Sequence, residues 1–148
     1  MHASYPGLDE TLAEIAESLA GAEAPWWIIG SAAVALHGAD VGRIADVDVL
    51  VGRADAVRLC RTWGLSPAQN TGDGKFRSSL FACWRGSPLP VEVMADTQVF
   101  ADGGWHPVHF ETRQATAGGL FVPARAELVA MLKLFGRTKD LRRAAALH

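Results

Sequence analysis

Cysteine is scarce in this 148-residue chain. Cys60 and Cys83 form no Cys-x-x-Cys and no set of paired spacings. That excludes a disulfide scaffold or a structural zinc site and makes a reducing cytoplasm the expected compartment. An excess of positive charge is also missing. The formal net charge of -2 excludes a protein that grips long nucleic acid by charge alone, but not one that holds a small phosphorylated ligand with a few local cations. The most apolar stretch, Trp26 to Leu36, falls short of the roughly 18 residues that a membrane span needs, and Gly30 and Ser31 interrupt it. Met1 to Glu10 lacks a basic segment followed by an apolar run, so no secretory signal is expected. Neither Gly-x-Gly-x-x-Gly nor a Gly-Lys-Ser/Thr follows the first apolar strand pattern, which excludes a Rossmann fingerprint and a Walker loop. Internal repeats, low-complexity segments and linkers are lacking as well.

What is present suits one domain over residues 1–148. The hydrophobic fraction of 49% is enough for a core. Leu8, Leu12, Ile15, Ala16 and Leu19 recur at helical spacing, and Gly21 ends that pattern. Trp26 to Ile29 reads as a buried strand, and Ser31 is placed to cap a short helix through Leu36. A loop over Ala39 to Ala45 leads to a strand, Asp46 to Val51, and a helix, Ala54 to Trp63, closed by Gly64. Ser66 to Gly74 reads as a polar loop. Lys75 to Trp84 and Leu89 to Ala95 read as strands joined through Gly86-Ser87-Pro88, a hairpin signal. Val108 to Thr112 and Leu120 to Val122 read as further strands. Helices follow at Ala124 to Phe135, opened by Pro123, and at Thr138 to Leu147. This order predicts an α/β (α+β) fold, a mixed β-sheet with helices packed on it.

The chemistry concentrates in Asp46-Val47-Asp48-Val49-Leu50-Val51. Side chains alternate along a strand, so Asp46 and Asp48 share one face, about 7 Å apart, and repel each other among apolar neighbours. A divalent cation with oxygen ligands relieves that repulsion, and magnesium favours one or two carboxylates plus substrate phosphates. A lone Asp-x-Asp is more often a solvated strand end. Two further features turn the reading. Glu92, flanked by Val91 and Val93, completes a three-carboxylate cluster if its strand lies beside the first. Such a cluster suits two cations about 3.5–4 Å apart and in-line phosphoryl or nucleotidyl transfer. Asp96 competes with Glu92 for this place, and an outward polar position is the alternative for Glu92. Gly30-Ser31, between strand and helix, offers a tight turn, free N–H groups and a hydroxyl to a phosphate, although a simple helix cap has the same appearance.

In this order the segments resemble the nucleotidyltransferase superfamily that includes DNA polymerase beta, and within it a minimal bacterial branch. The resemblance rests on Ile28-Ile29-Gly30-Ser31, on Ala35-Leu36-His37-Gly38, on Arg43 before Asp46-Val47-Asp48, on Val91-Glu92-Val93 and on Arg137-Thr138-Lys139-Asp140. It spans Trp26 to Leu147. Ile44, Arg143 and Glu92 depart from the branch, which often has Thr, an acidic residue and Asp at those places. The resemblance implies that Asp46, Asp48 and Glu92 are catalytic and bind magnesium, two ions in all, with Glu92 helping to activate the acceptor hydroxyl. Gly30 and Ser31 would hold the donor's phosphates. The implied reaction is attack of an unknown acceptor on the α-phosphate of a nucleoside triphosphate such as ATP, with loss of pyrophosphate. Such transfer needs positioning and charge neutralisation more than covalent chemistry by the protein.

Arg43, Lys133 and Lys139 are the remaining candidates to touch the triphosphate. Asp40 or Asp46 is an alternative partner for Arg43, and solvent an alternative surrounding for both lysines. Asp140 competes with a bound anion for the cations at the start of the last helix, because it can pair with Arg137 or Arg143. Lys139 is expected to face the same cleft as Ser31, and Arg142 to face solvent. His106 and His109 fall on opposite faces of an expected strand, against shared metal ligation. His37 reads as a helix-end residue, and the five tryptophans mostly as core. The rival readings are a weak or inactive nucleotide- or partner-binding member, such as a toxin–antitoxin component, and a metal-dependent phosphohydrolase. A homodimer or a partner protein is expected to complete the site, since the chain shows no separate acceptor-binding domain.

Overall fold

A computed structural model describes residues 5–70 and 74–148. The elements run α1 (Leu8–Ser18), β1 (Trp27–Ile29), α2 (Gly30–Leu36), β2 (Val47–Leu50), α3 (Arg53–Trp63), β3 (Ala68–Asn70), β4 (Phe76–Trp84), β5 (Val91–Ala95), β6 (Gln98–Ala101), β7 (Gly104–Pro107), β8 (Gln114–Thr116), β9 (Leu120–Val122), α4 (Arg125–Phe135) and α5 (Thr138–Ala146). Seven strands form one mixed sheet in the order β1-β2-β5-β4-β6-β7, with β3 also paired to β4, and β8-β9 form a separate hairpin. The β2–β5 pair is parallel and its neighbours are antiparallel.

The sheet has two chemically different faces. Residues paired across a ladder point to the same side. Val47 pairs with Val91 and Val49 with Val93, and Ala82 and Trp84 continue that row on β4. Val47, Val49, Val91 and Val93 are at most 1% exposed. Trp84 on this face stacks on Trp63 of α3, with centroids 4.3 Å apart, so α3 covers the valine face. The other face carries Ile29, Asp48, Glu92 and Cys83 in one row and Leu50, Met94 and Phe81 in the next. Near it, α5 packs against α2 and α4.

Buried polar groups tie the elements together. Thr11 of α1 is fully buried; its Oγ donates to the Gly7 carbonyl and accepts from the Leu89 N–H, which fixes α1 to the β4–β5 turn. Asp55, 1% exposed, accepts hydrogen bonds from the Glu23 and Ala24 N–H groups and from Arg58, anchoring α3 to the segment before β1. Gly136 (φ 71°) ends α4 in the left-handed region and turns the chain into α5. No helix among the described residues is long and apolar enough to cross a membrane.

Four sequence expectations change. Helix α2 begins at Gly30, with Ile29 at the N-cap and no side-chain cap, so Ser31 lies inside the helix, where it is buried. The Ser66–Gly74 segment contains β3, because Ala68 pairs with Phe81; residues 71–73 of that segment lie outside the described residues. Val108–Thr112 is not a strand: the pairing partners are β6 and β7, joined by a tight turn at Asp102-Gly103, and β8 pairs with β9. Val108 and Phe110 are nevertheless buried, which is what made the segment resemble one. Of the five tryptophans, only Trp26 is fully buried.

Candidate active site

The parallel register of β2 and β5 places Asp48 directly beside Glu92. Asp46 lies just before β2, two residues from Asp48 and on the same side by strand alternation. One carboxylate oxygen from each of Asp46, Asp48 and Glu92 lies within 4.8 Å of the others, and all three residues are half-buried. Oδ1 of Asp48 is buried and has no hydrogen-bond partner. Gly30 brings bare backbone against this group. Its φ is +68°, and a Cβ at its position would lie 2.9 Å from Asp48 Oδ2.

The electrostatics follow. Burial first, then a hydrogen bond with Glu92 and the charges of Asp46 and Glu92, push the Asp48 carboxyl well above the usual carboxylate range. Burial and the Glu92 charge raise that of Asp46. Arg143 opposes both shifts, and Lys139 opposes that of Asp46. Three converging carboxylates with an orphaned buried oxygen are an unfavourable arrangement for the protein alone and a good oxygen ligand set for a hard divalent cation. Asp96, the sequence competitor for the third place, lies outside this cluster. It turns the chain at the end of β5 with φ +52° and accepts a hydrogen bond from Ser79.

A cavity of about 420 Å³ opens from the cluster. Gly30, Asp48 and Glu92 form part of its wall, and Phe76, Phe81, Met94 and Phe135 give it an apolar side. Its remaining polar wall includes Arg137 at the N-cap of α5, Asp140 in its first turn and Arg143 in its last. Asp140 is fully buried and organises this wall. It accepts from the Arg137 N–H (3.2 Å), Arg137 Nε (2.6 Å) and Arg137 Nη2 (3.0 Å), which caps α5, and Arg143 Nη1 stands 3.7 Å away. The Arg137 guanidinium also lies 4.8 Å from the centre of the Phe76 ring.

The other sequence candidates are dispersed. Arg43, Lys133 and Lys139 are exposed, Ser31 is buried in α2, and none of the four lines this cavity. Arg142 is exposed, as expected. His37 Nε2 is hydrogen-bonded to the Pro123 carbonyl (2.8 Å), a tie between α2 and the start of α4. His106 lies on β7 and His109 beyond it, paired with Glu111. Cys83, opposite Glu92 across the β4–β5 ladder, and Arg143 were not picked out as site residues. The i, i+3 spacing of Asp140 and Arg143 was the signal available for the second; no signal marked the first. A larger, more open cavity of about 790 Å³ lies between α1 and the β8–β9 hairpin. Arg113 stacks there 3.4 Å from the Phe121 ring centre, and no metal-binding cluster occurs there among the described residues.

Solved structures share this mixed-sheet fold. A candidate nucleotidyltransferase from Thermotoga maritima superposes with a TM-score of 0.69 at 23% identity, over 90% of this chain and 88% of that one. The antibiotic-resistance factor ANT(2″)-Ia, crystallised with adenylyl-2″-tobramycin, superposes with a TM-score of 0.52 at 13% identity, over 93% of this chain and 85% of that one. The solution structure of the same factor gives a TM-score of 0.52 over 82% of its length. No protein-family model matches the chain, and neither does any curated protein sequence. The chain has the nucleotidyltransferase fold.

Proposed function

We propose that this protein is a metal-dependent nucleotidyltransferase. It moves a nucleoside monophosphate from a nucleoside triphosphate to an acceptor hydroxyl and releases pyrophosphate. The observation that carries this reading is the convergence of the Asp46, Asp48 and Glu92 oxygens within 4.8 Å, with Asp48 and Glu92 in the wall of a cavity large enough for a small-molecule substrate. That ANT(2″)-Ia was crystallised with an adenylylated product supports the same class of transfer on this fold.

In this reading Asp46, Asp48 and Glu92 hold the magnesium ions. When bound, these ions neutralise charge on the phosphate oxygens and align the donor for in-line displacement. Glu92 accepts the proton of the acceptor hydroxyl as its oxygen bonds to the α-phosphorus. The bond from the α-phosphorus to the bridging oxygen breaks, and the electron pair leaves with pyrophosphate. Gly30 admits a phosphate close to Asp48 because no side chain stands there. Ser31, next to Gly30 in the first turn of α2, offers its backbone N–H to that phosphate. Lys139, whose charge acts on Asp46, reaches the triphosphate from the rim, with Arg43 and Lys133 as more distant cations. A second copy or a partner protein completes the acceptor side, and the cytoplasm supplies the nucleotide.

The test is incubation with α-³²P-labelled nucleoside triphosphates, magnesium and a cell lysate. Label should pass to an acceptor, and Asp48→Asn should reduce that transfer about 100-fold or more, the usual scale for losing one group that stabilises charge in the transition state. Transfer that persists in Asp48→Asn, or that proceeds equally in excess chelator, would remove the metal-dependent reading.

A further inference from the structure

We propose that Arg143 is the phosphate-binding guanidinium of this cleft, contacting the donor's phosphate on the side away from the carboxylates, with Asp140 as the residue that positions it. The inference rests on the nucleotidyltransferase reading above and adds a residue that the resemblance does not supply: the related branch often has an acidic side chain at this place.

Three observations carry it. Arg143 lines the same cavity as Asp48 and Glu92, whereas Arg43, Lys133 and Lys139 do not. Its donors are largely unspent. Among the described residues it makes no hydrogen bond, its nearest ion-pair contact being Asp140 at 3.7 Å. Arg137, the neighbouring guanidinium, commits Nε and Nη2 to Asp140 and covers the Phe76 ring. Arg143 also makes no ion pair with Asp46, Asp48 or Glu92, although its charge acts on both aspartates. Cation and carboxylates therefore share one cavity without touching.

A metal-bound phosphate fits that gap, because it alternates the charges: carboxylate, divalent cation, phosphate, guanidinium. The planar fork of arginine matches two phosphate oxygens at once. Asp140 holds the fork from behind. It is fully buried and one helical turn before Arg143, and its Oδ1 lies 3.7 Å from Arg143 Nη1, an ion pair that orients the guanidinium without a hydrogen bond to it. An acidic residue at this position would repel the same phosphate.

The test compares wild type with Arg143→Ala, Arg143→Lys and Arg142→Ala in two titrations. The first uses magnesium with the α,β-methylene analogue of whichever nucleoside triphosphate wild type binds most tightly. The second uses manganese alone. Loss of a charge-assisted contact predicts that Arg143→Ala weakens the analogue about 10-fold or more, with Arg143→Lys between it and wild type and Arg142→Ala unchanged. Manganese alone should bind Arg143→Ala as tightly as wild type or more tightly, because a cation facing the carboxylates has been removed. Opposite signs in the two titrations separate phosphate contact from damage to the fold. The proposal is overturned if Arg143→Ala binds the analogue within about twofold of wild type, or if it loses manganese and analogue together. Wild type that binds no nucleotide analogue would instead overturn the nucleotide reading, and this inference with it.

Discussion

Asp48 is the residue where structure and chemistry conflict most sharply. Its carboxyl is raised well above 3.8 by burial, by Glu92 and by Asp46. The sign of the consequence is definite. The folded state binds more protons than the unfolded state between 3.8 and the raised value, so without metal this group lowers stability as pH rises through that window. Asp48→Asn should therefore unfold at a higher temperature than wild type by a few degrees at neutral pH in chelator, and the advantage should vanish near pH 3. Melts at the two pH values check this. Gly30 makes the complementary case. An alanine there takes on a φ of +68° and places Cβ 2.9 Å from Asp48 Oδ2. Gly30→Ala should cost about 1–2 kcal/mol from the left-handed backbone alone. It should also weaken manganese binding, since the carboxylate must move; denaturant titration and calorimetry measure the two effects separately.

Among the elements, α3 and α5 are each held by one buried aspartate, and the two aspartates act differently. Asp140 caps its own helix by accepting the Arg137 N–H and also organises a wall of the cavity. Asp55 instead reaches outward to the Glu23 and Ala24 N–H groups and secures the approach to β1. Burial works against ionisation of Asp55, but those two hydrogen bonds and Arg58 outweigh it, so its carboxyl is held below the usual range. Its contribution to stability is present above the unfolded value of 3.8 and is lost as pH falls through the lower folded value. Asp55→Ala strands two backbone donors and should cost about 3 kcal/mol at neutral pH. Urea titrations should show the difference between variant and wild type constant above about pH 5 and shrinking below 3.8. A difference independent of pH would assign the loss to packing.

For the whole molecule, the division of the sheet into a valine face and a carboxylate face separates folding from function. Leu59 of α3 is 1% exposed, and its helix covers the valine face, away from the cavity. Leu59→Ala should cost about 2–5 kcal/mol, the usual range for a buried leucine truncation. Below its unfolding temperature it should keep nucleotide affinity within about twofold of wild type. Chemical denaturation and calorimetry on the same preparation test this, and a loss of affinity equal to the loss of stability would show that the two faces are coupled.

The local signals in the chain were enough for the strand carrying Asp48, for the β4–β5 hairpin and for the glycine-closed helices, because alternation, helical period and glycine stops act over a few residues. The pairing of Asp46 with Asp48 was legible for the same reason. Three things needed the third dimension. The choice of Glu92 over Asp96 depends on the parallel register of β2 and β5, and no local pattern encodes which residues of distant strands stand opposite. The place of Arg143 depends on α5 packing beside α2, which turns Arg137 and Arg143 toward the cavity and leaves Lys139 and Arg142 exposed. Strands β6 and β7 were missed while Val108–Thr112 was read in their place, because burial of Val108 and Phe110 imitates strand hydrophobicity. Side-chain polarity records whether a residue is buried; the partner it meets there is decided by the chain's long-range contacts.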